Sequence, residues 1–405
     1  MIKVLYLLLG LFFFMSSTSA QVQVYTGVGE YIMSDFDTPD VAKQRAKVYA
    51  ERNAQEQAGV YVESTTNVLN SQVTKDEINT MTAGILKILE TNYQTLPSPD
   101  SSGIMIRATI KAEIDSDDVN KWFKRDEVER STLVAQNKQL KKAIYEQENL
   151  ILKLKQQIAN IKTQKDREKI ASKYAEADKE FLSNQKIEEG NKFYIKGDLD
   201  KALSSYNEAI KLNPNNYLAY SNRSVVYNDR KQYEKSIEDC NKSIKLNSKY
   251  SLSYYNRGLD YQNLQDYEKS IQDYTKAVEL DSNLLAAYSN RGLILYAAQY
   301  YDQALKDYNK IIEINPNFAI AYNNRNLIYV ALNDLNSALN DVNKAIELKP
   351  DYAEAYYNRG NVYYYLQYYQ RALKDYEKAL EINPNFTQAD YNRNVVLSII
   401  NKRSF

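Results

Sequence analysis

The sequence predicts a mainly α-helical protein: a helical-repeat solenoid, or superhelix, preceded by a small α+β domain and a long coiled-coil helix. Three observations carry this. The pair Asn-Arg recurs at Asn222-Arg223, Asn256-Arg257, Asn290-Arg291, Asn324-Arg325, Asn358-Arg359 and Asn392-Arg393, always 34 residues apart, the length of one helix–turn–helix unit. Residues 126–182 are charged and space their apolar residues in heptads. Residues 104–114 alternate apolar and polar, the period of a half-buried strand.

Residues 1–20 carry Lys3, an apolar run from Val4 to Met15 and small residues ending Thr18-Ser19-Ala20, the pattern of a secretory signal peptide. That run is shorter than the roughly 20 residues a membrane span needs. The protein is therefore expected to be exported, periplasmic or secreted, with no stable membrane insertion once the signal is cleaved. No Cys follows the signal, which on this reading excludes a lipid-anchored lipoprotein; an uncleaved anchor is the alternative.

Composition narrows the chemistry. The 405 residues include no His, which removes the commonest general base and metal ligand. The single Cys240 cannot form an internal disulfide and falls at a core position of its repeat. With no nucleophile–base set in sight, no catalytic residue, metal or cofactor is expected, and the chain is not read as an enzyme. Lys plus Arg and Asp plus Glu balance at 52 each, so no net basic field draws nucleic acid or anionic membrane. Most of the 37 Tyr are read as core.

Residues 21–125 read as the small α+β domain. Ile104, Ile106, Ala108, Ile110, Ala112 and Ile114 share one face of a strand, and Val22, Val24 and Val28 mark a weaker one. Thr38 before Pro39 opens a helix with the stripe Ala42, Ala46, Tyr49, Ala50, Ala54 and Ala58, ended by Gly59. Thr74 to Glu77 is the capping box of a second helix. Gly27-Val28-Gly29 lacks the third Gly of a dinucleotide site and is read as a turn or strand bend. The run ERNAQEQAGVYVES (51–64), followed by VTKDEI and GILKILE, resembles the α+β domain of certain small bacterial outer-membrane lipoproteins and flagellar-assembly proteins. That resemblance implies a bacterial envelope setting.

Residues 126–182 read as one long helix. Leu133, Leu140, Leu154 and Ile161 fall at d and Ile144, Ile151 and Ile158 at a, as in a parallel two-stranded coiled coil. Asn137 at another a position would fix the register, and Gln147 at d weakens the seam. A homo-oligomer through this helix is expected. The alternative is a helix that folds back on the first domain or on the repeats.

Six repeats follow, at 183–216, 217–250, 251–284, 285–318, 319–352 and 353–386, with 387–405 as a capping helix and tail. In the sixth, Tyr356, Gly360 and Tyr363 line one face of a first helix and Ala372, Tyr376 and Ala379 one face of a second, which Pro384 stops. Small residues recur where backbones must approach, Gly190, Ser224, Gly258, Gly292 and Gly360 in first helices and Ala202, Ser236, Ser270, Ala304, Ala338 and Ala372 in second ones. These positions resemble the tetratricopeptide repeat (TPR) consensus, from which Asn326, Val342, Cys240, Ser248 and Ser282 depart.

The resemblance implies a scaffold whose first helices line a groove that takes a protein or extended peptide. The Asn of each pair would point into it: Asn222, Asn256, Asn290, Asn324, Asn358 and Asn392. This row is similar to the asparagine ladder of the O-linked N-acetylglucosamine transferase superhelix, and implies capture of a peptide backbone by amides that both donate and accept. The alternative is that Asn is merely tolerated on a polar helix face. Tyr255, Leu259, Leu293, Leu327, Tyr357 and Tyr364 are the expected apolar groove contacts. Each Arg from Arg223 to Arg359 has an Asp sixteen residues later, predicting a repeated ion pair between helices. Repeats one and two also resemble chaperone-adaptor repeats that clamp a C-terminal carboxylate: Asn191 and Asn222 match, but Ile187, Leu252 and Asn256 stand where cations are needed. The expected function is an exported envelope scaffold that binds a protein segment. The alternative is an assembly factor or regulatory subunit with no free-peptide site.

Overall fold

The computed structural model describes residues 22–68, 73–99, 103–158 and 163–403, so the expected signal peptide lies outside the described residues. These form seventeen helices and three strands. Strands β1 (Val22–Ile32), β2 (Lys87–Pro97) and β3 (Ile104–Asp115) make one antiparallel sheet in the order β1-β3-β2. Ile106, Ala108, Ile110, Ala112 and Ile114 of β3 share a core with α1 (Pro39–Val68) and its buried stripe Ala42, Ala46, Ala50, Ala54 and Ala58. Thr74 caps α2 (Lys75–Ile85) by accepting from the Glu77 N–H at 3.2 Å, and α3 (Ser116–Phe123) adds Trp122 to the core.

Two local expectations are corrected. Gly59 does not end α1, because Val62 continues the buried stripe beyond it and one interior Gly costs only about 1 kcal/mol. Gly27-Val28-Gly29 is not a turn. It lies within β1, where a Cβ at Gly27 would stand 2.0 Å from Ala50 O and one at Gly29 2.2 Å from Ala46 O. The two glycines let the helix backbone lie directly on the strand.

Residues 126–182 are not one coiled-coil helix. They form α4 (Glu127–Ile158) and the start of α5 (Gln164–Ile195), which run antiparallel: Gln147 donates to Ala177 O and accepts at Oε1 from Asn184 at 3.3 Å, while Ile151 and Leu154 pack on Tyr174 and Ala177. The heptad residues are divided among three partners in the same chain. Leu133 joins the core of the α+β domain, Leu140 and Ile144 join the core of the repeats, and Ile151 and Leu154 meet α5. Asn137 donates to Thr80 Oγ1 at 3.0 Å instead of setting a dimer register. Ile161 lies outside the described residues. Buried Arg45 ties this hairpin to the sheet, pairing with Asp37 and Asp178 beneath the rings of Tyr31 and Tyr174. Burial raises the Asp178 carboxyl to about 6 against the pull of Arg45.

The end of α5 pairs with α6 (Leu199–Leu212) as repeat one. Then come α7 (Tyr217–Asp229) with α8 (Tyr233–Leu246), α9 (Ser251–Asn263) with α10 (Tyr267–Leu280) and α11 (Leu285–Ala297) with α12 (Tyr301–Ile314). The pairs α13 (Ala319–Ala331) with α14 (Leu335–Leu348) and α15 (Ala353–Tyr365) with α16 (Tyr369–Ile382) complete the array, closed by α17 (Thr387–Arg403). Gly190, Gly258, Gly292 and Gly360 lie under Tyr206, Tyr274, Tyr308 and Tyr376, where a Cβ would come within 2.4, 2.9, 3.0 and 2.6 Å of the ring.

The expected ion pairs are present and do more than join two helices. Arg223, Arg257, Arg291, Arg325 and Arg359 each fork onto Asp239, Asp273, Asp307, Asp341 and Asp375, with Nη2 to Oδ1 distances of 2.6–2.7 Å. Each Nη1 also reaches back to the preceding repeat, to Asn207, Asn241, Thr275, Asn309 and Asn343. One guanidinium therefore fixes the angle within a repeat and the step to the one before.

Candidate peptide-binding groove

In repeats two to six the first helix carries the predicted Asn at its sixth position, beside residues two, five and nine, and α17 carries Asn392 at the same place. The Asn side chains turn their amide nitrogens inward, toward neighbouring helices of the array. Asn222 donates to Asn191 Oδ1 at 3.2 Å, Asn256 to Ser221 O at 3.1 Å, and Asn290 to Tyr255 Oη and Tyr274 Oη at 3.4 Å. Asn358 donates to Asn323 Oδ1 at 2.9 Å and Asn392 to Asn361 Oδ1 at 3.0 Å, while Asn324 hydrogen-bonds Tyr308. Asn222, Asn256 and Asn358 are buried, and Asn290, Asn324 and Asn392 half-buried. The donor half of the ladder thus links the array to itself, and the Oδ1 of Asn222 is left buried without a partner. What the row can offer a peptide is acceptors at its half-buried members, Asn290, Asn324 and Asn392.

The apolar candidates divide into two strips. Tyr255 is buried, and its hydroxyl shares hydrogen bonds with Asn290 and with Thr132 of α4. Leu259, Leu293 and Leu327, all at the ninth position of successive repeats, are part-exposed, Leu293 most so at 37%. Tyr357 stacks on Tyr376 and Phe386, and Tyr364 on Tyr365 and Tyr369, so both are half-buried in the aromatic cluster of repeat six.

The alternative to a coiled coil, a helix folded back on the first domain or on the repeats, describes α4 better, and this helix lies along one side of the groove, a part that sequence reasoning did not assign to it. Glu127 Oε2 accepts from the Ile320 N–H at 3.4 Å, in the first turn of α13, as a helix-capping carboxylate does. Burial pushes the Glu127 carboxyl up to about 7 against that bond and the pull of Arg130 and Lys349. Val128, Ala135, Leu140, Ala143 and Ile144 pack into the same core as Leu218, Leu252, Leu285 and Ile320 of repeats two to five. The signal available in the sequence was the apolar second position, Leu218, Leu252, Ala286 and Ile320, which gives way to Glu354 in repeat six.

Among the described residues no group of acidic, Cys or His side chains is placed to hold a metal ion, and no helix is long and apolar enough to cross a membrane.

This geometry defines a helical-repeat scaffold. Its repeats are tetratricopeptide repeats: models of that family match residues 217–250, 251–284, 285–318 and 353–386, and a TPR repeat model matches 190–228 and 327–367. Among solved structures the chain is similar to YrrB, described as a TPR protein with an unusual peptide-binding site, at 22% identity and a TM-score of 0.41 over 47% of this chain and 99% of that one. It is also similar to a tetratricopeptide repeat protein from Parabacteroides merdae at 23% identity and TM-score 0.41, over 62% and 98% of the two chains. A third likeness is to pilF of Pseudomonas aeruginosa, at 14% identity and TM-score 0.49, over 53% and 98%.

Proposed function

We propose that the protein is an exported cell-envelope scaffold that binds an extended protein segment along the strip of the groove left open beside α4. The observation that carries this is the row Leu259, Leu293 and Leu327, three part-exposed leucines at one repeat position, where the array itself gives them no complete burial. The Oδ1 atoms of the neighbouring Asn residues would accept from the segment's backbone, and Tyr364 would close the far end. The signal-peptide pattern of residues 1–20 supports export. A second reading, an assembly factor with no free-peptide site, is favoured by the Asn donors being engaged within the array.

The test is photo-crosslinking from position 293 in envelope extracts, repeated with Leu259→Asp and Leu327→Asp. The groove reading expects a discrete adduct that both substitutions abolish while circular dichroism shows the helical fold retained. An adduct insensitive to both would support the assembly-factor reading.

A further inference from the structure

Strand β1 is an edge of the sheet, 11 residues long, and its outer side is open to pairing. Its odd-numbered residues turn their backbone groups to β3, as the Met33 N–H to Ile104 O bond of 2.8 Å and the unbroken register show. The even-numbered residues from Val22 to Ile32 therefore point their N–H and C=O groups away from the sheet. Two helix side chains mark that direction: Gln57 of α1 donates to Thr26 O at 3.1 Å and Lys155 of α4 to Ile32 O at 2.6 Å. Among the described residues no strand pairs with this side.

The same even-numbered residues bear the exposed side chains. Val22, Val24, Val28 and Ile32 are 43–59% exposed on the face away from α1, while the rest of that face is tied up in ion pairs, Glu30 with Arg107, Lys87 with Glu113 and Lys111 with Glu90. The two edges of the sheet are guarded differently. Strand β2 carries a register shift between Ile88 and Glu90, the charges of Lys87 and Glu90, and a terminal Pro97. Strand β1 has no bulge, proline or cation, and its one charged residue, Glu30, is held by Arg107. A long edge with an apolar row and no guard is a template for another strand.

We propose that the outer edge of β1 is a strand-addition site for an extended segment of a partner protein, with β-branched residues at alternate positions beside Val24 and Val28 and a Lys or Thr beside Glu30. A second copy of this chain is the wrong occupant. Gly27 and Gly29 hold the α1 backbone directly on β1. Pairing two β1 edges would set two α1 helices over strands about 4.8 Å apart, where packed helices need roughly 8–10 Å. A lone strand brings no such helix. The site lies in the α+β domain and uses no repeat, so it stands or falls independently of the groove.

The probe is a phage library of random nonamers, panned on the full-length protein with the Val24→Lys/Val28→Lys variant, altered at two exposed side chains, as counter-target. The nonamers recovered are expected to alternate apolar and polar residues. As synthetic peptides they are expected to bind the variant at least about tenfold more weakly than the native protein by anisotropy. N-methylation at the alternate residues whose N–H groups face β1 is expected to abolish binding, and methylation at the intervening ones to spare it, the parity of strand pairing. In hydrogen exchange, bound peptide is expected to slow the amides of Val24, Val28 and Glu30 and to leave α9 and α11 unchanged. Should the variant fail to fold, the exchange measurement on the native protein decides alone. Failure to recover a nonamer that prefers the native protein, or no slowing at Val24 and Val28, overturns the proposal. So does a native dimer in sedimentation that the variant converts to a monomer, which would give the edge to a second copy.

Discussion

Asn228 of repeat two donates to Asp260 Oδ1 of repeat three across 2.6 Å, and Asp260 is fully buried. The same position holds Val226, Ile294, Ile328 and Val362 in other repeats, all buried, so a carboxylate stands where the fold elsewhere uses an aliphatic side chain. Burial pushes its carboxyl up to about 7, with the bonds from Asn228 and Ser236 opposing. Because the folded value lies above the unfolded one, near 4, the stabilisation from this group is complete below about pH 4 and is lost as pH rises through 7. Asp260→Asn, which keeps an acceptor for Asn228, is expected to raise the melting temperature by about 2–4 °C at pH 8 and to change it little at pH 5. Calorimetry at the two pH values checks this; a fall at pH 8 would mean the charged form is needed.

Removing Arg291 would strand Asp307, which is 3% exposed, and cut the bond to Thr275. Arg291→Leu is expected to cost about 3–5 kcal/mol, and adding Asp307→Leu should recover much of it, since the unpaired charge is the larger penalty. Urea unfolding of the two variants reads the difference. Equal losses would show that the reach to the preceding repeat dominates.

Gln299 has a φ of 64° in the turn between α11 and α12, and Lys231, Gln265, Asn333 and Gln367 share that left-handed geometry in their own repeats. Repeat one alone places a glycine there, Gly197 at 80°. Gln299→Gly is expected to stabilise by about 0.5–1 kcal/mol, because relief of the side-chain clash outweighs the entropy that glycine adds to the unfolded chain. A loss of stability by thermal melting would count against it.

Ile151→Asp with Leu154→Asp distinguishes the observed hairpin from a coiled coil. Both side chains are buried against α5, so charges there are expected to destabilise by at least about 3 kcal/mol without changing the mass measured by sedimentation. A dimer that becomes a stable monomer would restore the coiled-coil reading.

The array was legible because its determinants are local and repeated. Gly292 under Tyr308 and Arg291 on Asp307 are each set within one 34-residue period, so spacing alone reveals them. The path of α4 was not, because Leu133 and Leu140 look alike in a heptad, and only tertiary contact decides that one faces the sheet domain and the other the repeats. Strand β2 escaped notice for a related reason: it is an edge strand, and most of its side chains are exposed, so it needs no apolar alternation. For the candidate site, spacing marked the Asn residues but not which end of each amide would be engaged. That depends on what the preceding repeat places opposite, an Asn in one case and a Ser carbonyl in another.

A stack of helix pairs is by construction a spring, since each joint yields slightly and the small rotations add. From Glu127 to Gln147, α4 is a rod of about 30 Å at 1.5 Å per residue, fastened to α13 at one end and to α5 at the other. It spans the first five coils as a strut does: straightening that part of the array would lengthen the contact between Glu127 and Ile320. Repeat six and α17 lie beyond the fastening, and there the spring keeps its compliance.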